Sequence, residues 1–186
     1  APQQRTNLRV FNAYAPSPID VRLNTFGDEV RYLAQRLPFG KAWPEGGYAS
    51  MLTRTADSTG KDSISVDVIS YGVDTLLIDE YPDNLAANAF ASYYIVDSAG
   101  QAVLIKPSDD FEFTAPDQAV VRFINLYPNL NSVEFESSKD ELGFVSFAFL
   151  NFSVFTNVPE GSRSFTVYNA ATGSAFATLE DVNLER

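Results

Sequence analysis

The string Arg9-Val10-Phe11-Asn12-Ala13-Tyr14 returns later in the chain as Arg122-Phe123-Ile124-Asn125-Leu126-Tyr127. Further matches follow in the same order: Pro16 with Pro128, Val21 and Leu23 with Val133 and Phe135, Phe39 with Phe149, and Pro44-Glu45-Gly46 with Pro159-Glu160-Gly161. Self-similarity at a fixed spacing means one supersecondary unit built twice, so two tandem modules are expected. The second copy is shorter. Residues 76–80 have a partner in 177–181, but nothing later corresponds to the apolar segments 91–96 and 102–105. A sandwich without its closing hairpin leaves a sheet edge open, so either the chain is a fragment of a longer one or a partner strand supplies that edge.

Within each copy the hydrophobic period is two. Ile19, Val21 and Leu23 alternate with Asp20, Arg22 and Asn24; Ile64, Val66 and Val68 alternate with Ser65 and Asp67; Val133 and Phe135 alternate with Glu134 and Glu136. That alternation belongs to strands with one buried face, and the 15 Phe and 9 Tyr suit the same pleated surface. Segment 28–37 reads either way: Val30, Leu33 and Leu37 have helical spacing, whereas Val30 and Tyr32 suit a strand. Segment 142–155 is apolar enough for one long or two short buried strands. Turns fall at Pro44-Glu45-Gly46-Gly47, at Ser98-Ala99-Gly100-Gln101 and at Pro159-Glu160-Gly161. The fold class is all-β: two tandem immunoglobulin-like β-sandwich modules. Residues 1–7 are expected to be a disordered lead-in, 8–106 the first module, 107–117 a linker with two Pro and four acidic residues, and 118–186 the second module.

Composition removes several classes of function. The chain has no Cys and no His, which excludes disulfide scaffolds, thiolate zinc sites, thiol nucleophiles and the Ser-His-Asp triad. A formal net charge of −11 has the wrong sign for a nucleic-acid phosphate backbone or an anionic membrane surface. No stretch reaches the ~20 apolar residues of a membrane-spanning helix. The start Ala1-Pro2-Gln3-Gln4-Arg5 is polar and reads as a mature N-terminus or a trimmed one.

The repeated Arg-apolar-x-Asn-x-Tyr string, together with Leu37-Pro38-Phe39-Gly40 and Pro44-Glu45-Gly46-Gly47-Tyr48, resembles the bacterial extracellular family called domain of unknown function 4397. The resemblance covers most of residues 8–186. It implies immunoglobulin-like modules, export and frequent lipoprotein anchoring, and it brings no catalytic residues. The chain departs from the family where Trp43 leads directly into Pro44, and where the second copy stops early. A more distant likeness, on the Arg-Val-x-Asn strand, is to the periplasmic alginate O-acetylation adaptor family.

Each candidate site also has a structural role open to the same residues. Trp43, Tyr48, Tyr93 and Tyr94 could stack on a sugar, but aromatics of a β protein more often belong to the core or to a half-buried sheet. Residues 79–84 and the acidic trio Asp109, Asp110 and Glu112 offer oxygen ligands for Ca²⁺, without the spacing of an EF-hand loop; a solvated acidic turn at 79–84 and a solvated charge run at 109–112 are the favoured readings. Ser58, Ser63, Thr75 and Ser98 follow Asp in the short triplets used for bacterial O-glycosylation, and Asp-Ser pairs are also good turn formers. Asn151-Phe152-Ser153 is an N-glycosylation triplet in a stretch expected to be buried. Tyr14 and Tyr127 are expected at sheet corners. No cofactor and no metal is assigned.

The expectation is a non-catalytic module in the periplasm or at the cell surface, held through a residue upstream of this chain where a lipid anchor is used. Its partner is a glycan or an envelope protein. The alternative is a structural subunit of a surface fibre or layer, assembling as a homo-oligomer by strand exchange at the open edge of the second module.

Overall fold

The computed structural model describes residues 4–14, 17–25, 30–53, 61–112, 116–139 and 145–185. Every regular element among them is a strand. The chain divides into two compact units, Ala1–Asp109 and Asp110–Arg186.

Unit 1 is built from nine strands: β1 Gln4–Ala13, β2 Ile19–Thr25, β3 Val30–Leu37, β4 Ala42–Trp43, β5 Ala49–Thr53, β6 Lys61–Ser70, β7 Thr75–Ala86, β8 Phe90–Ser98 and β9 Gln101–Ile105. One sheet runs β3-β2-β6-β7. The other runs β4-β1-β8-β9, with β5 also on β1. Alternation places Leu8 and Val10 of β1, Val21 and Leu23 of β2, Val66 and Val68 of β6, and Ala91, Tyr93 and Ile95 of β8 on facing surfaces, where they form one buried cluster. The unit is a β-sandwich. Its last hairpin turns through Ala99 (φ 52°) and Gly100 (φ 83°), two positive angles in succession as in a type I′ turn, and the Asp97 carboxylate accepts the Gly100 N–H at 2.7 Å.

Unit 2 holds β10 Gln118–Val121, β11 Ser132–Ser137, β12 Val145–Ala148, β13 Thr156–Pro159, β14 Gly161–Asn169 and β15 Ser174–Leu184. Its larger sheet runs β12-β11-β14-β15, and β10 pairs with β13. The larger sheet therefore repeats the order β3-β2-β6-β7, strand for strand.

The two units share one local device, bond for bond. Asn12 is fully buried, and its side-chain amide donates to the Leu37 carbonyl at 2.9 Å while its Oδ1 accepts the Tyr14 N–H at 2.9 Å. Asn125 does the same with the Phe147 carbonyl at 3.1 Å and the Tyr127 N–H at 3.1 Å. The backbone of Asn12 exchanges bonds with Gly40 and Lys41, as Asn125 does with Leu150 and Asn151. Gly40 has φ 74°, and Leu150 at the same place has φ 66°. The Asn side chain is thus the peg on which each tight turn hangs, which explains why Asn recurs; its partner two residues on gives a backbone N–H, so the bond itself does not require a tyrosine there.

Several expectations change. Residues 4–7 belong to β1 and pair with β5, and Thr6 is fully buried, because extending β1 covers the sandwich end. Segment 28–37 resolves as strand from Val30. The division between the units falls inside 107–117, whose described residues pack on their own units: Pro107 and Asp109 are buried and Ser108 bridges Ala91, while the Phe111 ring lies 5.1 Å from that of Phe155. Of segment 142–155, residues 142–144 lie outside the described residues, and the rest gives one short strand, after which Phe152 and Val154 stand exposed. The register also moves two matches. Ile19 pairs with Leu37 and Ser70, and Val133 pairs with Phe147 and Asn169. Ile19 therefore matches Val133, and Val21 matches Phe135; a slip of two keeps the same face and is invisible to alternation. Pro44-Glu45-Gly46 lies between β4 and β5, whereas Pro159-Glu160-Gly161 joins β13 to β14, so these turns are not equivalent.

Candidate functional site

The four aromatics singled out for sugar stacking do not share a surface. Tyr93 is inside the core, and Trp43 packs half-buried against it. Tyr94 lies on the opposite face of β8 from Tyr93, its ring 6.1 Å from Phe11, and Tyr48 meets Phe90 edge-on at 5.0 Å.

Two of them anchor polar networks instead. The Tyr93 hydroxyl donates to Asp83 at 2.5 Å, and the Lys106 ammonium bonds the other oxygen of that carboxylate. Burial, and after it the Asp83 charge, push the Tyr93 hydroxyl far above the ordinary tyrosine range. The Ser92 hydroxyl donates to Tyr48, which donates to Asp109 at 3.1 Å, tying the β4–β5 loop to β8 and to the end of the unit. Burial first, together with the Asp109 carboxylate and against the Ser92 bond, raises Tyr48 to about 12.

Residues 79–84 are strand rather than turn, since β7 is an edge strand, where Pro82 is tolerated without an N–H to give. Asp83 is consumed by its two partners. Among the described residues no three Asp or Glu gather closely enough to hold a metal ion. Of the glycosylation candidates, Thr75 is exposed at the start of β7 and Ser98 is half-buried at the end of β8. Ser63 lies in β6 opposite Asn84, and Ser58 falls outside the described residues. Asn151 and Phe152 are exposed rather than buried, because the chain leaves the sheet after Ala148.

The feature that sets unit 2 apart is an edge. In unit 1, β1 carries β4 and β5 on one side and β8 in parallel on the other, from Asn7 opposite Phe90 to Ala13 opposite Val96. In unit 2, β10 has β13 on one side, and the path continues to a bridge between Ile124 and Phe152. Among the described residues no strand lies on the other side. The bonds on the occupied side run through Phe123 and Asn125: Ser153 N–H to Phe123 O at 2.9 Å, and Asn125 N–H to Asn151 O at 3.0 Å. Successive peptide groups of an extended chain point to opposite edges, so the N–H and C=O of Ile124 face the other way. Phe11, at this place in unit 1, pairs with Tyr94 of β8.

The floor beside that edge is apolar and partly uncovered. Tyr14, Leu77, Ile78 and Tyr81 pack against the core of unit 1. In unit 2, β15 is exposed from Ser174 through Asp181, with Phe176 at 52% and Leu179 at 62%, and Tyr127 lies 5.0 Å from Phe176. Beneath it runs an aromatic layer: Phe123 stacks on Phe135 at 4.7 Å and meets Phe165 at 5.7 Å, and Phe135 meets Phe147 at 6.1 Å. By the matched pairings Phe123, Phe135, Phe165 and Phe147 stand where unit 1 has Val10, Val21, Val66 and Leu37. An open strand edge over an apolar floor can take an extended polypeptide, with ladder bonds giving affinity and alternate side chains giving specificity. The sequence pointed to an open edge in this module, but not to Ile124 or to the phenylalanine layer; the swap of aliphatics for Phe at repeated positions was the available signal. Compared with known proteins, the chain matches no family model and no curated sequence.

Proposed function

We propose that this chain is a non-catalytic, extracytoplasmic protein of tandem immunoglobulin-like modules, and that it works by binding another polypeptide, which adds a strand beside β10. The observation that carries the reading is the contrast between β1, paired on both edges, and β10, paired on one among the described residues. The scatter of Trp43, Tyr48, Tyr93 and Tyr94 favours a protein partner over a glycan. The absence of Cys and His supports a binding role over a catalytic one. The likeness to the domain of unknown function 4397 family and the exposed Thr75 triplet support a place outside the cytoplasm, at the cell surface or in the periplasm. Assembly of like subunits into a fibre or layer is the form this takes when the donor is another copy.

The test is a set of extended decapeptides with alternating apolar and polar residues, against controls with a central Pro. Alternating peptides are expected to raise the unfolding midpoint of unit 2 and to leave unit 1 unchanged. If no peptide shifts unit 2, or if the Pro controls do so equally, the reading is wrong.

A further inference from the structure

The core-facing side of unit 1 carries a carboxylate and a lysine at places where their neighbours are apolar. Asp83 lies on the same face of β7 as Tyr81 and Leu85, which belong to the core or pack on it. Its side chain is only 8% exposed. Lys106 follows β9, one residue beyond the pair of Ile105 with Tyr94, and two beyond the buried Leu104. Its Nζ stands 2.5 Å from Oδ1 of Asp83, and the fully buried Tyr93 donates its hydroxyl to Oδ2 at 2.5 Å. The carboxyl carbon is one C–O bond beyond Oδ1, which puts it at the edge of the ~3–3.5 Å range of a near-attack arrangement. Stability alone gives little reason for such a group, because a buried ion pair is often no better than apolar residues of the same volume.

We propose that Lys106 and Asp83 join covalently, as an isopeptide bond that the folded unit makes from its own side chains. One ammonium proton passes to Oδ1 along the short contact and leaves a neutral amine beside a neutral carboxyl group. The flexible lysine stem lets Nζ turn over the carboxyl plane, and its lone pair adds to Cγ. The charge that develops on Oδ2 is met by the Tyr93 hydroxyl, already in place. Oδ1 takes a second proton from Nζ and leaves as water. Nζ keeps its third proton, and Oδ2 becomes the amide carbonyl. An ammonium and a carboxylate thus give an amide and one water, with no oxidant, reductant or further reactant. Tyr93 keeps its proton throughout, since burial holds the hydroxyl neutral. β7 is the edge of one sheet and β9 the edge of the other, so the bond ties the two sheets together along one side of the sandwich. It closes a sequence separation of 23 in a chain that has no Cys to do so by a disulfide.

The test is the intact mass of the full chain, measured in denaturant. It is expected one water below the mass of the sequence, and digestion should release a branched peptide joining the Asp83 and Lys106 segments. Lys106→Arg should restore the full sequence mass. Tyr93→Phe, which keeps the ring, should slow the loss of water at least about tenfold in chain freshly made by cell-free synthesis. A full sequence mass that persists on long incubation of the folded, unsubstituted chain overturns the bond, and leaves an ion pair with a hydrogen-bonded tyrosine. A missing water that persists in Lys106→Arg places the dehydration elsewhere and overturns it equally. An unaltered rate in Tyr93→Phe overturns the part given to the hydroxyl.

Discussion

Units 1 and 2 use the same four-strand order and the same asparagine-held turn, yet they reach different ends. Unit 1 closes over Tyr93, Ile95 and Leu104 from β8 and β9, and its inner face is buried from Leu8 to Leu104. In unit 2 the buried apolar residues among those described are Ala119, Val133, Val158 and Phe165, and large side chains such as Phe176 and Leu179 remain in water. The comparison teaches that strand order and turn chemistry are the same in both units although, among the described residues, no counterpart of β8 and β9 covers unit 2. Closure is not local: it depends on what packs on the second edge of β1 or β10.

The largest test of that contrast is truncation of the two cores. Tyr93→Ala should cost unit 1 about 4 kcal/mol, the range for a fully buried aromatic. Phe123→Ala, at a half-buried site, should cost unit 2 only about 2 kcal/mol. Denaturant unfolding followed separately in each unit measures both, and equal losses would mean that unit 2 is as well sealed as unit 1. Next in size, Asn12→Ala and Asn125→Ala should each cost about 2 kcal/mol, because each strands a carbonyl and a tyrosine N–H. Matched costs support the equivalence of the two turns; a loss confined to one unit breaks it.

Much of this was legible in the sequence, for identifiable reasons. Alternation at 19–23, 64–68 and 133–135 marked strands because one face of each is buried. The Asn-x-Tyr string marked a repeated unit because a buried amide has few substitutes; that the amide holds a turn was not readable from it. Other features were hidden. Alternation has a period of two, so it could not separate Val133 matched to Ile19 from Val133 matched to Val21. Residues 79–84 read as a solvated turn, because the edge position that lets a strand hold Pro82 is a tertiary fact. Tyr93 looked like its neighbour Tyr94, although one faces the core and the other does not. The site was legible as an open edge, but the aromatic layer that shapes it required knowing which residues share a face.

Smaller effects sharpen the comparison. Gly40→Ala should destabilise unit 1 by about 1 kcal/mol: nothing lies within 4 Å of the added methyl, so the loss is the cost of a side chain at φ 74°. Unit 2 already bears that cost at Leu150. The last effect is a slope with pH. The Tyr48 hydroxyl titrates near 12 in the folded unit and near its ordinary 10 when unfolded. Its contribution is therefore complete below pH 10 and is lost as pH rises from 10 toward 12. Thermal unfolding of unit 1 across that window should show the decline, and Tyr48→Phe should flatten it.

The most direct measurement is amide hydrogen exchange at Ile124 set beside Phe11, the residue at the same place in unit 1. Phe11, within the parallel ladder with β8, should exchange only on global opening of its unit. Ile124 should exchange faster by orders of magnitude while unit 2 remains folded. Equally slow exchange at both amides would show that β10 is already paired on both edges, and would contradict the account.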